Sequence, residues 1–178
     1  MTLLSAEHPA AGLAGFSLRG EQAGDRAAIE ALNDRAFGPG RFAKVSYAVR
    51  EEARARPDLS VCAFEGGELV GSVHLSEIGL GARDVLFLGP LAVDAVCRGR
   101  GLGGALMRQA VAAAREAGAP GILLVGDLPL FSPHGFVRVP AGQVQTPRPL
   151  DPSRLLWLEL ADGGLEAVSG RIGSPRAS

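Results

Sequence analysis

The sequence predicts an α/β domain built on a mixed sheet, and three observations carry that prediction. A glycine pair separates two runs of strand-like residues, which is a hairpin signal. A third apolar run is interrupted once and then resumes. It is followed by a segment with helical spacing and by a short apolar tetrad of the kind that a sheet buries on both faces. In order, these segments are 59–64 and 69–78 for the hairpin, 85–93 for the interrupted strand, 102–117 for the helix and 122–125 for the buried strand.

The interruption lies at Gly89-Pro90. Proline has no N–H to donate to a sheet, so it occurs in strands only at edges and bulges. We therefore predict a bulge here. A bulge would splay this strand away from Ile122–Val125 and leave backbone groups unpaired at Leu91, Ala92 and Val93.

Between the interrupted strand and the helix lies a loop of glycines and arginines. The first turn of a helix presents unpaired N–H groups and partial positive charge, which together attract anions. Glycines let the backbone approach a phosphate closely, and arginines add charge. The sequence thus predicts a phosphate site formed by Arg98, Gly99, Arg100, Gly101, Leu102, Gly103 and Gly104.

Two other phosphate-binding motifs fit this loop poorly. The P-loop pattern is absent, and the single lysine, Lys44, lies far away in the sequence. Gly99, Gly101 and Gly104 do satisfy the dinucleotide pattern, with Asp127 as a candidate ribose ligand. However, five residues separate the strand from the first glycine, and no second nucleotide-binding half follows. A dinucleotide-dependent oxidoreductase is therefore the weakest of the enzyme hypotheses.

Composition excludes several classes of protein. The chain has 178 residues, which fits one domain, and its net charge of −1 with a pI near 6.3 gives no support for binding nucleic acid or a membrane surface. Cys62 and Cys97 have no metal-ligand spacing, so we expect no metal. Neither a signal peptide nor a long apolar span is evident, and this predicts a cytoplasmic protein.

The remaining segments complete the predicted domain. We expect a flexible arm at 1–15, a domain at 16–160 and a peripheral tail at 161–178. The domain begins with a strand at 16–19, a helix from Asp25 to Ala36 with Ile29 and Leu32 facing inward, and a helix at 41–54. It ends with a short helix at 126–132, a strand at 135–139, a surface connection at 141–154 and a last strand at 155–160.

The loop and its flanks resemble a known family. The motif Arg98-x-x-Gly101-x-Gly103, preceded by Leu91-Ala92-Val93-Asp94 and followed by Gly135-Phe136, is similar to the signature of the GCN5-related N-acetyltransferase (GNAT) superfamily. The segments Leu88–Val93 and Val125–Asp127 resemble its YhbS-like predicted acetyltransferases. The resemblance is strong over about 85–139. It implies a sheet of six or seven strands that is splayed at a bulge in the fourth strand, with helices on both faces.

The resemblance also implies the co-substrate. The loop would bind the pyrophosphate of acetyl-coenzyme A or another acyl-coenzyme A, and the open strand edge would pair with the two amides of pantetheine, as in β-augmentation. The predicted cofactor-binding residues are Leu91, Ala92, Val93, Arg98, Gly99, Arg100, Gly101, Leu102, Gly103, Gly104 and Phe131. Family members place a pair of helices beside the acceptor site, which makes Phe42, Tyr47 and Arg50 candidates for contact with the substrate.

Acyl transfer to an amine requires a base, a site for the developing oxyanion and a way for the thiolate to leave. Glu77 is the candidate base and a second substrate contact, and the N–H groups near Leu91 and Ala92 are the candidates for the oxyanion. His74 lies on the opposite face of the same predicted strand, where we expect a packed or exposed side chain. Family members commonly place a tyrosine acid where this chain has Phe131, which has no proton to give. Its neighbours Ser132 and His134 are possible substitutes, or the thiol leaves unaided because its pKa is about 8.5.

Two functions from different classes follow. The first is an acetyl-coenzyme A-dependent N-acetyltransferase that transfers the acyl group directly to a small-molecule or peptide amine in a ternary complex, as a monomer or homodimer. The alternative is a non-catalytic coenzyme A sensor, which is suggested by Phe131 and by the few titratable residues expected near the cleft. Binding without turnover across a broad amine panel would favour the sensor.

Overall fold

The computed structural model describes residues 13–166 and 168–176. Most of the predicted flexible arm at 1–15 therefore lies outside the described residues. Within them, the helices are α1 (Arg26–Phe37), α2 (Val45–Glu52), α3 (Leu102–Glu116) and α4 (Leu128–Phe131). The strands are β1 (Phe16–Gly20), β2 (Arg54–Ala55), β3 (Val61–Glu65), β4 (Glu68–Leu80), β5 (Arg83–Val93), β6 (Gly121–Val125), β7 (Val137–Arg138), β8 (Val144–Gln145), β9 (Leu155–Glu159) and β10 (Gly170–Gly173).

The main sheet runs in the order β1-β3-β4-β5-β6-β9-β7. Neighbours along this order pair antiparallel except β5 and β6, which are parallel. The parallel pair is connected through α3, as a crossover between parallel strands requires. The predicted mixed sheet is confirmed, and its seven-strand path agrees with the six or seven strands expected.

Helices cover both faces of the sheet. Leu86 and Leu88 pack with Leu106 of α3, whereas the alternating residues Val85 and Phe87 belong to a second cluster that contains the α2 side chains. Because successive strand residues point to opposite faces, α3 and α2 lie on opposite sides of the sheet. A third cluster packs α1 through its buried Ile29 and Leu32, as predicted.

The bulge and the splay that were predicted at Gly89-Pro90 are both present. The β4–β5 register shifts between Val73 and Leu75, opposite this dipeptide, and then continues to Val93. In contrast, β5 pairs with β6 only at Leu86↔Ile122 and Phe87↔Leu123. The two parallel strands therefore separate beyond Phe87 and form an open wedge.

Three sequence predictions were wrong in extent. The predicted helix at 41–54 is a 3-10 turn followed by the shorter α2, and the predicted strand at 135–139 is reduced to β7. The segment after β9 is not peripheral, because Leu165, Val168 and Ile172 are buried and β10 pairs with β4. The strand at 155–160 is thus not the last one. No helix in the described ranges has the length and apolar content that crossing a bilayer requires.

Candidate active site

The N-terminus of α3 is open for an anion. The helix begins at Leu102, and no side chain caps it at Gly101. Gly99 and Gly101 adopt φ of +77° and +80°, a region that favours glycine, and a Cβ at either position would meet no atom within 4 Å. Arg98 is exposed and makes no ion pair within the described part of the chain. The backbone N–H groups of the first turn and the Arg98 guanidinium are therefore available to a phosphate.

Arg100 has a different role from the one predicted. Its guanidinium pairs with Glu65 at 2.6 Å and lies 4.2 Å from the centre of the Phe16 ring. The ion pair lowers the pKa of Glu65 and raises that of Arg100. These contacts hold the loop against β1 and β3, so the prediction that Arg100 adds charge to the phosphate site is not supported.

The edge of β5 that faces the wedge offers backbone donors. Asp94 donates its N–H to the Val70 carbonyl at 2.8 Å. Hydrogen-bonded and non-hydrogen-bonded pairs alternate along antiparallel strands, so Ala92 is also bonded to β4, whereas the N–H groups of Leu91 and Val93 point toward the wedge. Leu91 thus fits the predicted oxyanion role, and Ala92 does not because its N–H belongs to the ladder.

A cavity of about 580 Å³ continues from the wedge. One wall comes from β5, β6 and the residues after β6, and the other comes from α1, the turn after it and α2. The sheet-side wall is lined mainly by Leu88, Gly89, Pro90, Leu91, Leu124, Val125, Gly126, Asp127, Phe131 and Arg154. The helical wall is lined mainly by Phe37, Arg41, Lys44, Tyr47 and Arg50. The bulge therefore brings the open strand edge into the same space as the helices expected to contact the acceptor.

Phe131 occupies the sheet-side wall through a close fit to Gly126. A Cβ on Gly126 would lie 2.3 Å from Cε2 of Phe131, so only glycine leaves room for the ring. The ring also contacts Phe136 edge-on, with 6.0 Å between the ring centres. Phe131 is thus an apolar part of the cavity wall that cannot donate a proton.

Several predicted catalytic and substrate residues lie outside the cavity walls. Glu77 alternates with Ser76 and Ile78, which face α2, so it points to the other side of the sheet, where it binds Arg54. The predicted role of Glu77 as base and substrate contact does not fit this position. Ser132 is exposed, and His134 packs beside Gly104 of α3, so neither residue lines the cavity.

A smaller cavity of about 190 Å³ adjoins the first and shares Tyr47 and Arg50 with it. His74 and Ser76 of β4 line this smaller space. Nδ1 of His74 lies 3.3 Å from Oε2 of Glu21 and 3.4 Å from Oγ of Ser60. Burial, reinforced by the Arg50 charge, lowers the pKa of His74, and its bond with Glu21 offsets part of that shift. His74 is therefore neutral at neutral pH and able to accept a proton.

Sequence reasoning assigned His74 to the face opposite the cleft, and the structure reverses that assignment. The two faces of β4 were separated correctly, but the sequence did not indicate which one α2 covers. No spacing within β4 distinguishes the two faces, and it is the structure that places Ser76 in the smaller cavity and Ile78 in the α2 cluster. The face that bears His74 is the one that opens on the cavities.

The predicted substrate contacts on the helical side divide in two. Tyr47 lines both cavities, as does Arg50. Phe42 lines neither cavity; it is 47% exposed and stacks edge-on against Tyr47 with 4.8 Å between the ring centres. Phe42 thus contacts Tyr47 but is not part of the walls that the substrate was predicted to touch.

The structure thus combines a splayed sheet, an uncapped glycine-rich helix start and a cavity that continues from the wedge. The model for the acetyltransferase (GNAT) family matches residues 26–136, and the chain belongs to that family. The match covers the described elements from α1 to Phe136, including the loop and the wedge.

Similar proteins support this assignment. The chain is 29% identical over 150 residues to the uncharacterized N-acetyltransferase YhbS of Escherichia coli, covering 83% of this chain and 89% of that one. The crystal structure of Escherichia coli YhbS in complex with CoA superposes with a TM-score of 0.73 at 27% identity, over 88% of each chain. A GNAT acetyltransferase from Brucella melitensis in complex with acetyl-CoA matches with a TM-score of 0.63 at 25% identity, over 89% of this chain and 94% of that one.

Proposed function

We propose that this protein is an acetyl-CoA-dependent N-acetyltransferase that transfers the acyl group directly to a small-molecule or peptide amine in a ternary complex. The observation that carries the proposal is the single cavity that joins the splayed edge of β5 to the helical wall. Both substrates of a direct transfer would meet in this space. The similar structures that contain CoA and acetyl-CoA support the choice of co-substrate.

The residues at the α3 start fit the co-substrate's pyrophosphate. We assign its binding to the N–H groups of residues 101–104 and to Arg98, and we assign the pantetheine amides to the outward N–H groups of Leu91 and Val93. Acetyl-coenzyme A, when bound, supplies the activated acyl group. The Leu91 N–H is placed to stabilise the negative charge that develops on the carbonyl oxygen.

His74 is the proton acceptor in this proposal and replaces Glu77. It is neutral at neutral pH, it lies next to the cavity, and Glu21 orients its imidazole through Nδ1. No acid is assigned, because Phe131 has no proton and neither Ser132 nor His134 lines the cavity. We propose that the thiol leaves as the thiolate, which its ordinary pKa of about 8.5 allows.

The test combines equilibrium titration of acetyl-CoA with thiol release in the presence of an amine panel. We expect acetyl-CoA to bind, and thiol release to depend on both acetyl-CoA and an amine. Absence of binding would refute the proposal. Binding without turnover on any amine would instead favour the sensor, although His74, Tyr47 and Asp127 around the cavities remove the shortage of titratable residues that suggested it.

A further inference from the structure

Arg50 of α2 is partly buried, yet its charge has no ion-pair partner among the described residues. Its side chain forms part of the wall of both cavities. Within the described residues, the guanidinium makes no hydrogen bond or ion pair, and its ring contact is with Tyr47, 5.9 Å from the ring centre. Burial lowers the pKa of Arg50, which means that its charge is poorly solvated. A partly desolvated cation with five N–H donors is a strong site for an anion.

Other arginines on the same walls are already paired. Arg41 binds Glu30 at 3.0 Å and also pairs with Asp34, and Arg154 binds Asp127 at 3.1 Å. Glu30, the acid with the largest effect on the Arg50 charge, is thus engaged by Arg41.

The remaining charges leave the main cavity positive. Lys44 adds a second cation, 5.3 Å from the centre of the Phe37 ring, and the carboxylate on these walls, Asp127, is neutralised by Arg154. In the smaller cavity Glu51 is exposed. Arg50 and Lys44 are therefore the cations on the walls of the main cavity that no carboxylate of the described residues pairs with.

A second polar group points to the same location. The hydroxyl of Ser76 is buried in the wall of the smaller cavity and has no hydrogen-bond partner in the described structure. Buried polar groups are normally satisfied, so this hydroxyl is an unsatisfied donor in the wall that Arg50 also lines. The neutral imidazole of His74 lies in the same wall and adds no competing cation.

We propose that the acceptor is an amine that also carries a carboxylate, and that Arg50 binds this carboxylate at the junction of the two cavities. The amine would then extend into the main cavity toward the thioester beside Leu91. A planar guanidinium matches a carboxylate through two parallel hydrogen bonds, and Ser76 supplies a further donor. This inference rests on the proposed function, because it names the acceptor class for the same site.

The test uses pairs of acceptors that differ only in charge. Glycine, β-alanine and γ-aminobutyrate are each compared with the corresponding amide, and phosphoethanolamine represents a phosphorylated amine. Two readouts are measured: kcat/KM for thiol release with acetyl-CoA, and binding to the protein saturated with CoA, which needs no turnover. We expect the best carboxylate to exceed its amide by about 10- to 100-fold in both readouts, the range of a charge-assisted hydrogen bond.

Variants locate the preference at Arg50. Arg50→Gln should remove the preference for the carboxylate while leaving acetyl-CoA affinity unchanged, and Arg50→Lys should retain part of it because the charge remains without the planar fork. Arg115→Gln is the control: it removes an exposed guanidinium from α3, on the opposite side of the sheet from both cavities, and it should alter the carboxylate-to-amide ratio by less than about threefold. Thermal unfolding verifies that each variant is folded.

The outcomes separate the inference from the proposed function. Acylation of neutral amines as efficiently as carboxylates, a preference for phosphoethanolamine, or an unchanged preference in folded Arg50→Gln and Arg50→Lys would overturn the inference and leave the enzyme intact. Carboxylate binding that depends on Arg50, without acyl transfer, would support the carboxylate site at Arg50 and count against the enzyme. Failure of every carboxylate to bind the CoA-saturated protein would overturn the inference by itself.

Discussion

At the scale of single residues, His74 is the proposed proton acceptor, the role that the sequence had assigned to Glu77. We expect His74→Ala to lower kcat/KM by about 100-fold, the lower end of the range for a general base. Glu77→Gln should change it by less than about threefold, since Glu77 binds Arg54 on the other face of the sheet. Steady-state thiol release with saturating acetyl-CoA measures both, and the reverse ranking would restore Glu77 as the base.

The same residue predicts a pH dependence. Burial and the nearby Arg50 lower the pKa of His74, and Glu21 opposes the shift. Only the neutral imidazole accepts a proton, so kcat/KM should stay constant down to the ordinary histidine pKa of about 6.5 and fall only as the pH drops through the lower value in the protein. The acidic limb should be absent in His74→Ala. A limb that persists unchanged in the variant would assign the titration to another group.

Gly103 provides a selective test of the phosphate site. A Cβ there would lie 3.8 Å from Cγ2 of Val93, an ordinary contact, and the residue is inside α3 without a positive φ. Gly103→Asp should weaken acetyl-CoA binding by about 100-fold or more through repulsion of the pyrophosphate, while an acidic residue in the first turn favours the helix itself.

Gly103→Ala is the matched control and should bind acetyl-CoA nearly as well as the wild type. Gly101→Asp tests the same repulsion less cleanly, because Gly101 has φ of +80° and any side chain there adds strain. Equal affinity of Gly103→Asp and Gly103→Ala, measured by equilibrium titration, would contradict the assigned phosphate site.

The roles of individual residues were harder to predict from the sequence than the secondary structure and the fold. The role of the loop glycines could be predicted from the sequence because their effect is local: they allow a turn and an uncapped helix start. The partners of charged residues did not, since Arg100 binds Glu65 and Glu77 binds Arg54 across strands that are distant in the sequence. His74 and Arg50 come together only when α2 packs on β4, and no spacing within either segment indicates that contact.

At the scale of elements, the junction between β4 and the C-terminal segment is the contact that the sequence did not reveal. Ile172 of β10 lies opposite Leu80, and a Cβ on Gly79 would lie 2.3 Å from the carbonyl oxygen of Ser174. Gly79→Ala should therefore displace this strand and lower the free energy of unfolding by about 1–3 kcal/mol.

Gly40→Ala is the control for that prediction, because a Cβ there would meet nothing within 4 Å. Chemical denaturation of the two variants measures the difference. Equal stability would mean that β10 does not approach β4 as closely as described.

The long elements were predicted well because their signals are strong and local. The apolar periodicity of α3 and the proline in β5 each specify a structure from a few residues, and the bulge follows from the missing proline N–H. The short strand β10 has no such signal. Gly170–Gly173 has glycine at both ends, and its pairing with β4 depends on tertiary contacts made by Val168 and Ile172.

At the scale of the whole molecule, the C-terminal segment belongs to the folded core. Leu165, Val168 and Ile172 are at most 3% exposed. Burial of each aliphatic side chain contributes about 1.5–3 kcal/mol, and a domain of this kind has a total stability of about 5–15 kcal/mol. Truncation after Leu160 should therefore remove most of the stability. A cooperative thermal transition near that of the full chain, recorded by circular dichroism, would show that the segment is dispensable.

In the proposed reaction, one opening in the sheet brings the co-substrate and the acceptor together. The wedge beyond Phe87 opens into the cavity beneath α2 because β5 leaves β6 at the bulge, and the helix start at Leu102 follows the end of β5 along the chain. The structure of the complex with CoA tests this most directly. We predict pyrophosphate oxygens within hydrogen-bond distance of the N–H groups of residues 101–104, and pantetheine along Leu91 and Val93. A ligand bound elsewhere, or β5 and β6 closed into a continuous ladder, would contradict the account.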